Sequence, residues 1–216
     1  MEGDKLLIRN ASQVITCSGF AAKRGAEMSN LHIIDDGAVV ISGGIITHVG
    51  PTNDILRTVD ADDYLEIDAT GRALLPGFVD SHTHFLFGGY REKVFSERLK
   101  KNHSLSPVEY SEDVLGTVSA TRSCDFEQLW EAGYERLDEM FNMGVTTVEG
   151  KSGYGLDFDT ELKQLRVMAD LNDEHPMDVV STYFGGHVTP SEYTHQTDDY
   201  ITYMIEKVLP ELRLER

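Results

Sequence analysis

His82 and His84 stand one residue apart in the segment GFVDSHTHFLFGG, residues 77–89. Side chains alternate faces along a strand, so both imidazoles point the same way. Two neutral imidazoles on one face can hold one divalent metal ion, typically zinc or iron. A His-x-His pattern alone reads equally well as two ordinary strand-end histidines. Its position after an apolar run favours the ligand reading, because parallel α/β folds build active sites at the C-terminal ends of their strands. Asp80 falls on the same face one step earlier, where it could contact a ligand or fix a loop.

Two later segments carry similar residues. VTTVEGK runs into Ser152, Gly153, Tyr154 and Gly155. Tyr154 offers a ring and a hydroxyl to a small substrate, or packs on the neighbouring helix as a plain loop tyrosine. MDVVSTYFGGH ends in Gly185, Gly186 and His187. A histidine there suits a general acid/base or a hydrogen-bond donor, unless it is a satisfied bystander. Arg91 follows Gly88 and Gly89; a guanidinium near a metal suits a substrate carboxylate, because it makes two parallel hydrogen bonds. The alternative is an exposed arginine at a helix start. Lys151 reads as a surface or ion-paired lysine rather than a carbamylated metal bridge.

The elements that must position these residues fall into two parts. Residues 1–72 carry short strands with tight turns, including GAVVISGGIITHVG, where Gly43-Gly44 between two β-branched runs predicts a hairpin. His48 reads as a partly exposed strand residue. From residue 73 to 216 the order is strand, helix, strand, helix, strand, helix, which predicts right-handed crossovers and a parallel sheet. ALLPGFVD predicts a strand buried on both faces. REKVFSERLKK predicts a helix, and NHSLSPVEYSED, with Pro107, a loop. DFEQLWEAGYERLDEMFNMG carries apolar residues at spacings of three and four, capped by Asp125 and ended by Gly144. DTELKQLRVMADLNDEHP predicts a helix stopped by Pro176, and the last helix is expected to kink or end near Pro210.

Composition narrows the function. Among 216 residues, 19 are basic and 37 acidic, a net charge of −18. Such a surface repels phosphate backbones and anionic lipid, which argues against nucleic acid and membrane partners. No apolar run approaches the roughly 20 residues of a membrane helix. The N-terminus lacks a signal-peptide pattern, and Cys17 and Cys124 form no disulfide framework. A cytosolic protein is expected.

LPGFVD followed by His82-x-His84 resembles the opening pattern of the amidohydrolase superfamily. Within it, HFLFGGYREKVFSERL, GTVSATR, GVTTVEGKSGYGL, ELKQLRVMADLNDEHP and GGHVTPSEY resemble the imidazolonepropionase family in order and spacing, over most of residues 73–193. The resemblance implies an α/β fold: a metal-dependent (β/α)8 TIM-like barrel with a β-sandwich built from both ends of the chain. Residues 1–72 would be the N-terminal β-sandwich portion and 73–216 the first three β/α units of the barrel. It further implies hydrolysis of the cyclic amide 4-imidazolone-5-propanoate to N-formimidoyl-L-glutamate, in histidine degradation. His82 and His84 match the paired ligands of one divalent ion, zinc or iron; Arg91, Tyr154 and His187 match substrate-binding positions. A further histidine ligand, an aspartate ligand and the catalytic carboxylate are expected beyond residue 216. The chain is therefore expected to be an N-terminal fragment, nearly inactive alone, which could self-associate through an open barrel edge. Ser104, beside His103, replaces an expected tyrosine, and Ser111-Glu112-Asp113 an expected glycine triplet. Other readings are a different cyclic amide hydrolase or deaminase of the superfamily, and a non-catalytic remnant.

Overall fold

The computed structural model describes residues 5–19, 21–90, 96, 99 and 107–214, the side chains of 107–113 excepted. The chain divides into two compact units, Met1–Pro76 and Gly77–Arg216.

In the first unit five strands form one sheet: β1 (Lys5–Ile15), β2 (Ile33–Ser42), β3 (Ile45–Pro51), β4 (Leu65–Asp68) and β5 (Ala73–Leu74). Their order is β3-β2-β1-β4, with β5 also on β1. β1 runs antiparallel to β2 and parallel to β4 and β5. Gly43 and Gly44 make the turn from β2 to β3 with φ of 59° and 78°. A two-residue type I′ hairpin needs that left-handed backbone at both positions, which is why a Gly-Gly pair marks it. Alternation places Leu7, Ala38 and Val40 on one face, under Ile55 of the short helix α1 (Thr52–Ile55). Val39, with Ala11, Val14 and Ala69, forms a second cluster. His48 lies exposed on β3 with Nδ1 3.1 Å from Thr47 Oγ1.

In the second unit β6 (Phe78–Thr83), β7 (Val145–Lys151) and β8 (Asp178–Thr182) run parallel in the order β6-β7-β8. Parallel neighbours need crossover connections. Helices α2 (Pro107–Ser123) and α3 (Phe126–Asn142) fall between β6 and β7, and α4 (Phe158–Glu174) between β7 and β8. Leu129 and Leu137 of α3 and Val167, Met168 and Leu171 of α4 bury against Val148, Val179, Phe85 and Leu86. Each such side chain contributes about 1.5–3 kcal/mol of burial, so this cluster dominates the unit's stability. Asp125 and Gln128 form a reciprocal capping box at the start of α3, and Gly144, with φ of 90°, follows its end. Asp157 caps α4 by accepting from Thr160 N at 2.8 Å. That helix ends at His175, whose extended backbone is what a following proline requires.

Two expectations are corrected. The run 73–80 is not one buried strand. It breaks at Leu75-Pro76-Gly77: β5 joins the first sheet and β6 the second. β6 has one partner strand among the described residues, and Phe78 and Val79 are 53% and 66% exposed. Pro107 does not sit in a loop but opens the 17-residue helix α2, where a missing N–H costs nothing. The expected helix over 91–101 lies almost wholly outside the described residues. Near Pro210 the helix does change: α5 (Thr197–Tyr203) widens into a π turn at Met204–Val208 before α6 (Leu209–Leu214). Proline cannot donate to the turn before it, and a widened turn accommodates that loss.

Candidate functional site

The C-terminal ends of β6, β7 and β8 bring four of the expected residues together. The ring centroids of His82 and His84 are 5.8 Å apart. His84 is 5.1 Å from Tyr154 and 5.4 Å from His187. Phe184 stands among the histidines, at 5.5 Å from His82, 5.6 Å from His84 and 5.3 Å from His187. Arg91 lies outside the described residues, as do His103 and Ser104. The side chains of 111–113 are also outside them.

His82 is exposed, and its backbone N–H donates to Asp80 Oδ1 at 3.1 Å. Asp80 thus braces the end of β6 itself rather than a loop. His84 is half-buried. Burial, with the neighbouring His187 and His82, lowers its pKa to about 4, so the ring is neutral at neutral pH with a lone pair to offer. Its Nδ1 is buried with no hydrogen-bond partner. An orphaned imidazole nitrogen beside a second imidazole fits a metal ligand pair better than a satisfied strand-end histidine. Among the described residues no group of three His, Cys, Asp or Glu side chains is placed to hold an ion.

Loop 85–88, which follows His84, is held from three helices. Arg136 of α3 donates to the carbonyls of Phe85 and Phe87, both at 2.9 Å, and its guanidinium lies 3.8 Å from the Phe87 ring centre. Gln164 of α4 donates to Leu86 O at 2.8 Å. Thr121 of α2 accepts from Gly88 N at 3.0 Å. Gly88 has no room for a side chain, since a Cβ would meet the Ala120 carbonyl oxygen at 2.7 Å.

β7 ends in an ion pair between the buried Lys151 and the half-exposed Glu149. Lys151 is paired with Glu149 and also reaches Ser81 O at 3.4 Å; Glu149 accepts from Thr182 Oγ1 at 2.7 Å. The ion-paired reading of Lys151 therefore holds. The hydrogen bonds from Lys151 and Thr182 keep the Glu149 carboxyl below its ordinary pKa.

The loop after β7 closes around Glu161, in the first turns of α4. Its carboxylate accepts from Gly153 N at 3.0 Å, Gly155 N at 2.9 Å and Leu156 N at 2.8 Å. Burial pushes the carboxyl up, opposed by these bonds. Arg122 of α2 donates to Gly155 O at 2.8 Å and pairs with Asp157 and Glu192. Gly153 adopts φ of 103°, and a Cβ there would meet Phe184 O at 2.7 Å and the His187 ring at 2.8 Å. His187 closes a short turn, Gly185–His187, with Nδ1 3.0 Å from Phe184 O.

Glu161 and Phe184 are site residues that motif reading did not single out. Glu161 carried no signal of its own, since a glutamate four residues after a helix cap such as Asp157 ordinarily faces solvent. Phe184 had only its place between a strand and Gly185-Gly186.

Comparison with known proteins follows the same lines. No protein-family profile matches the chain. An imidazolonepropionase of Parabacteroides distasonis is 62% identical over 215 residues, covering 100% of this chain and 52% of that protein. One from Clostridium tetani is 46% identical over 216 residues, with the same coverages of 100% and 52%. The chain therefore spans about half the length of the curated relatives it matches. Among solved structures, an atrazine chlorohydrolase of Arthrobacter aurescens, complexed with zinc and atraton, superposes with a TM-score of 0.58. It is 17% identical, over 94% of this chain and 43% of that one. Guanine deaminase of E. coli gives a TM-score of 0.55 at 18% identity, over 93% and 43%. At these identities the likeness is one of fold alone.

Proposed function

Because the chain is a relative of imidazolonepropionases along its whole length, we propose that it supplies half of the metal site and the substrate-holding loops of a hydrolase that opens 4-imidazolone-5-propanoate. The observation that carries this is the convergence of His82, His84, Tyr154 and His187 at three parallel strand ends. The first unit is then one part of a β-sandwich, and the second the first three units of a (β/α)8 barrel.

His82 and His84 would hold one divalent ion, zinc or iron, completed by ligands beyond the described residues. When bound, the ion acidifies water and polarises a carbonyl. In the overall reaction one water is consumed and the ring C–N amide bond breaks. The carbonyl carbon becomes a carboxylate and the nitrogen leaves in the formimidoyl group, giving N-formimidoyl-L-glutamate. Arg91 would grip the propanoate carboxylate through two parallel hydrogen bonds. Tyr154 and Phe184 would confine the planar ring. With its Nδ1–H given to Phe184 O, His187 keeps Nε2 for the substrate and for negative charge developing on the ring oxygen in its protonated form. Among the described residues no helix is long and apolar enough to cross a membrane, and we place the protein in the cytoplasm. The uncovered sides of β6 and β8 would support self-association or pairing with another chain.

Metal analysis and an assay on the purified chain test this. With zinc or iron supplied, the chain should bind up to one ion, and His82→Ala or His84→Ala should abolish the binding. Ring opening should be scarcely detectable, since the described residues contribute two ligands. Binding of 4-imidazolone-5-propanoate should exceed that of a hydantoin or a purine. Retained metal in either variant would overturn the ligand assignment, and preference for a purine would overturn the substrate.

A further inference from the structure

A run of hydrogen bonds leads from the interior to His187. Ser152 immediately precedes Gly153, whose N–H donates to the Glu161 carboxylate at 3.0 Å. Ser152 Oγ accepts from Phe184 N at 2.9 Å. Phe184 O in turn lies 3.0 Å from His187 Nδ1. A carbonyl can only accept, so this contact requires the proton on Nδ1. The same carboxylate holds the backbone on both sides of Tyr154, through Gly153 N and Gly155 N. Gly153 in turn packs against the His187 ring. Tyr200 ties the two loops from behind, donating to Gly185 O at 2.7 Å with Leu156 O 3.2 Å away.

Glu161 is 1% exposed, and every group facing its oxygens is a donor. A carboxylate buried this deeply is retained only where donors compensate its desolvation. Such a group costs stability relative to an apolar residue of the same size unless it fixes something the site needs. What it fixes here is the loop that carries Tyr154 and the turn that carries His187.

We propose that Glu161 is a positioning residue. It sets the backbone that aims Tyr154 and, through Ser152 and the Phe184 backbone, the orientation and Nδ1–H tautomer of His187. This deepens the functional reading above and rests on the substrate-holding role given there to Tyr154 and His187.

Two variants separate the parts. In Glu161→Gln one oxygen can keep the N–H groups of Gly153, Gly155 and Leu156, while the charge and the second acceptor facing Gly153 N are lost. Ser152→Ala cuts the link to Phe184 and leaves the carboxylate in place. The tautomer is read from the ring 15N shifts of the histidines by NMR on the metal-free chain. Binding is read by calorimetry with imidazole propanoate, a stable ring-and-carboxylate probe. His175 is the internal control, since its Nδ1 accepts from Met177 N at 3.1 Å and its Nε2 faces Asp138 at 3.2 Å.

Expected in both variants are a mixed tautomer at His187, an unchanged His175 and probe binding weaker by about tenfold or more. Zinc binding at His82 and His84 should stay within about twofold of the parent. A His187 tautomer and probe affinity unchanged in both variants would overturn the proposal. If Glu161→Gln also disturbs His175, Ser152→Ala decides alone. If the parent chain binds no imidazole propanoate, the functional reading falls, and the His187 shifts still decide the positioning role of Glu161.

Discussion

The loop at 152–156 and the strand at 78–83 meet at one site and are held in different ways. In the loop, Glu161, Arg122 and Ser152 take up backbone N–H and C=O groups from inside the unit. Ser152, Gly153, Gly155 and Leu156 are all buried. β6 pairs with β7 alone among the described residues, carries Phe78 and Val79 exposed, and breaks register twice along its six residues. The loop bearing Tyr154 is therefore fixed by its own unit. The strand bearing His82 depends on the clamp at 85–88 and on one neighbour. On the function proposed above, the groups that would confine the ring are pre-organised within the second unit, while the groups that would hold the metal stand on its less supported edge.

The largest effect should come from removing the centre of the loop. Glu161→Ala strands three buried N–H groups, each costing about 1–3 kcal/mol when unsatisfied. Chemical denaturation should show a loss of about 3 kcal/mol or more. A loss under about 1 kcal/mol would mean that the loop is not held from within, and the contrast with β6 would disappear. Gly153→Ala comes next. Its φ of 103° and the Phe184 carbonyl against the missing Cβ leave alanine strained, at about 1–3 kcal/mol by the same denaturation measurement. Its effect should centre on the Tyr154 and His187 signals and spare His82.

These two positions also mark what the sequence makes legible. Gly153 stands out in KSGYGL because glycine beside polar and aromatic residues at a strand end signals a tight turn or a close approach. His82, His84, Tyr154 and His187 are legible by the same logic, as chemically capable side chains after apolar runs. Glu161 is not. It sits four residues past a helix cap, where a glutamate normally complements the helix end in solvent. Its burial follows from the direction of three backbone N–H groups, which no side-chain pattern encodes. Helix α2 was hidden for another reason: its Ser, Thr and Glu residues give no clear apolar stripe, and Pro107 reads as a breaker unless its place at the first turn is known. The Gly43-Gly44 hairpin, by contrast, was fixed by local backbone chemistry alone.

The other side of the comparison predicts small stability effects. His82→Ala removes an exposed ring from an edge strand and should change unfolding free energy by less than about 0.5 kcal/mol, while removing zinc binding. A large destabilisation would show that the His82 ring is packed rather than poised, contrary to the exposed position seen for it.

The smallest effect is expected at Val79, and there the direction matters more than the size. A valine 66% exposed on a strand with one partner contributes little burial. It also presents an apolar surface beside unpaired backbone groups, the combination that draws strands of other chains together. Val79→Lys should leave unfolding of the chain within about 0.5 kcal/mol of the parent and shift its sedimentation toward monomer. The lysine places a charge where edge pairing would bury it, and the net charge of −18 spares the chain any loss of solubility from one added cation. If the variant instead unfolds, β6 is a core strand, and the division between a self-supported loop and an externally completed edge is wrong. If it folds and still associates, the contact between chains lies at β8 or in the first unit.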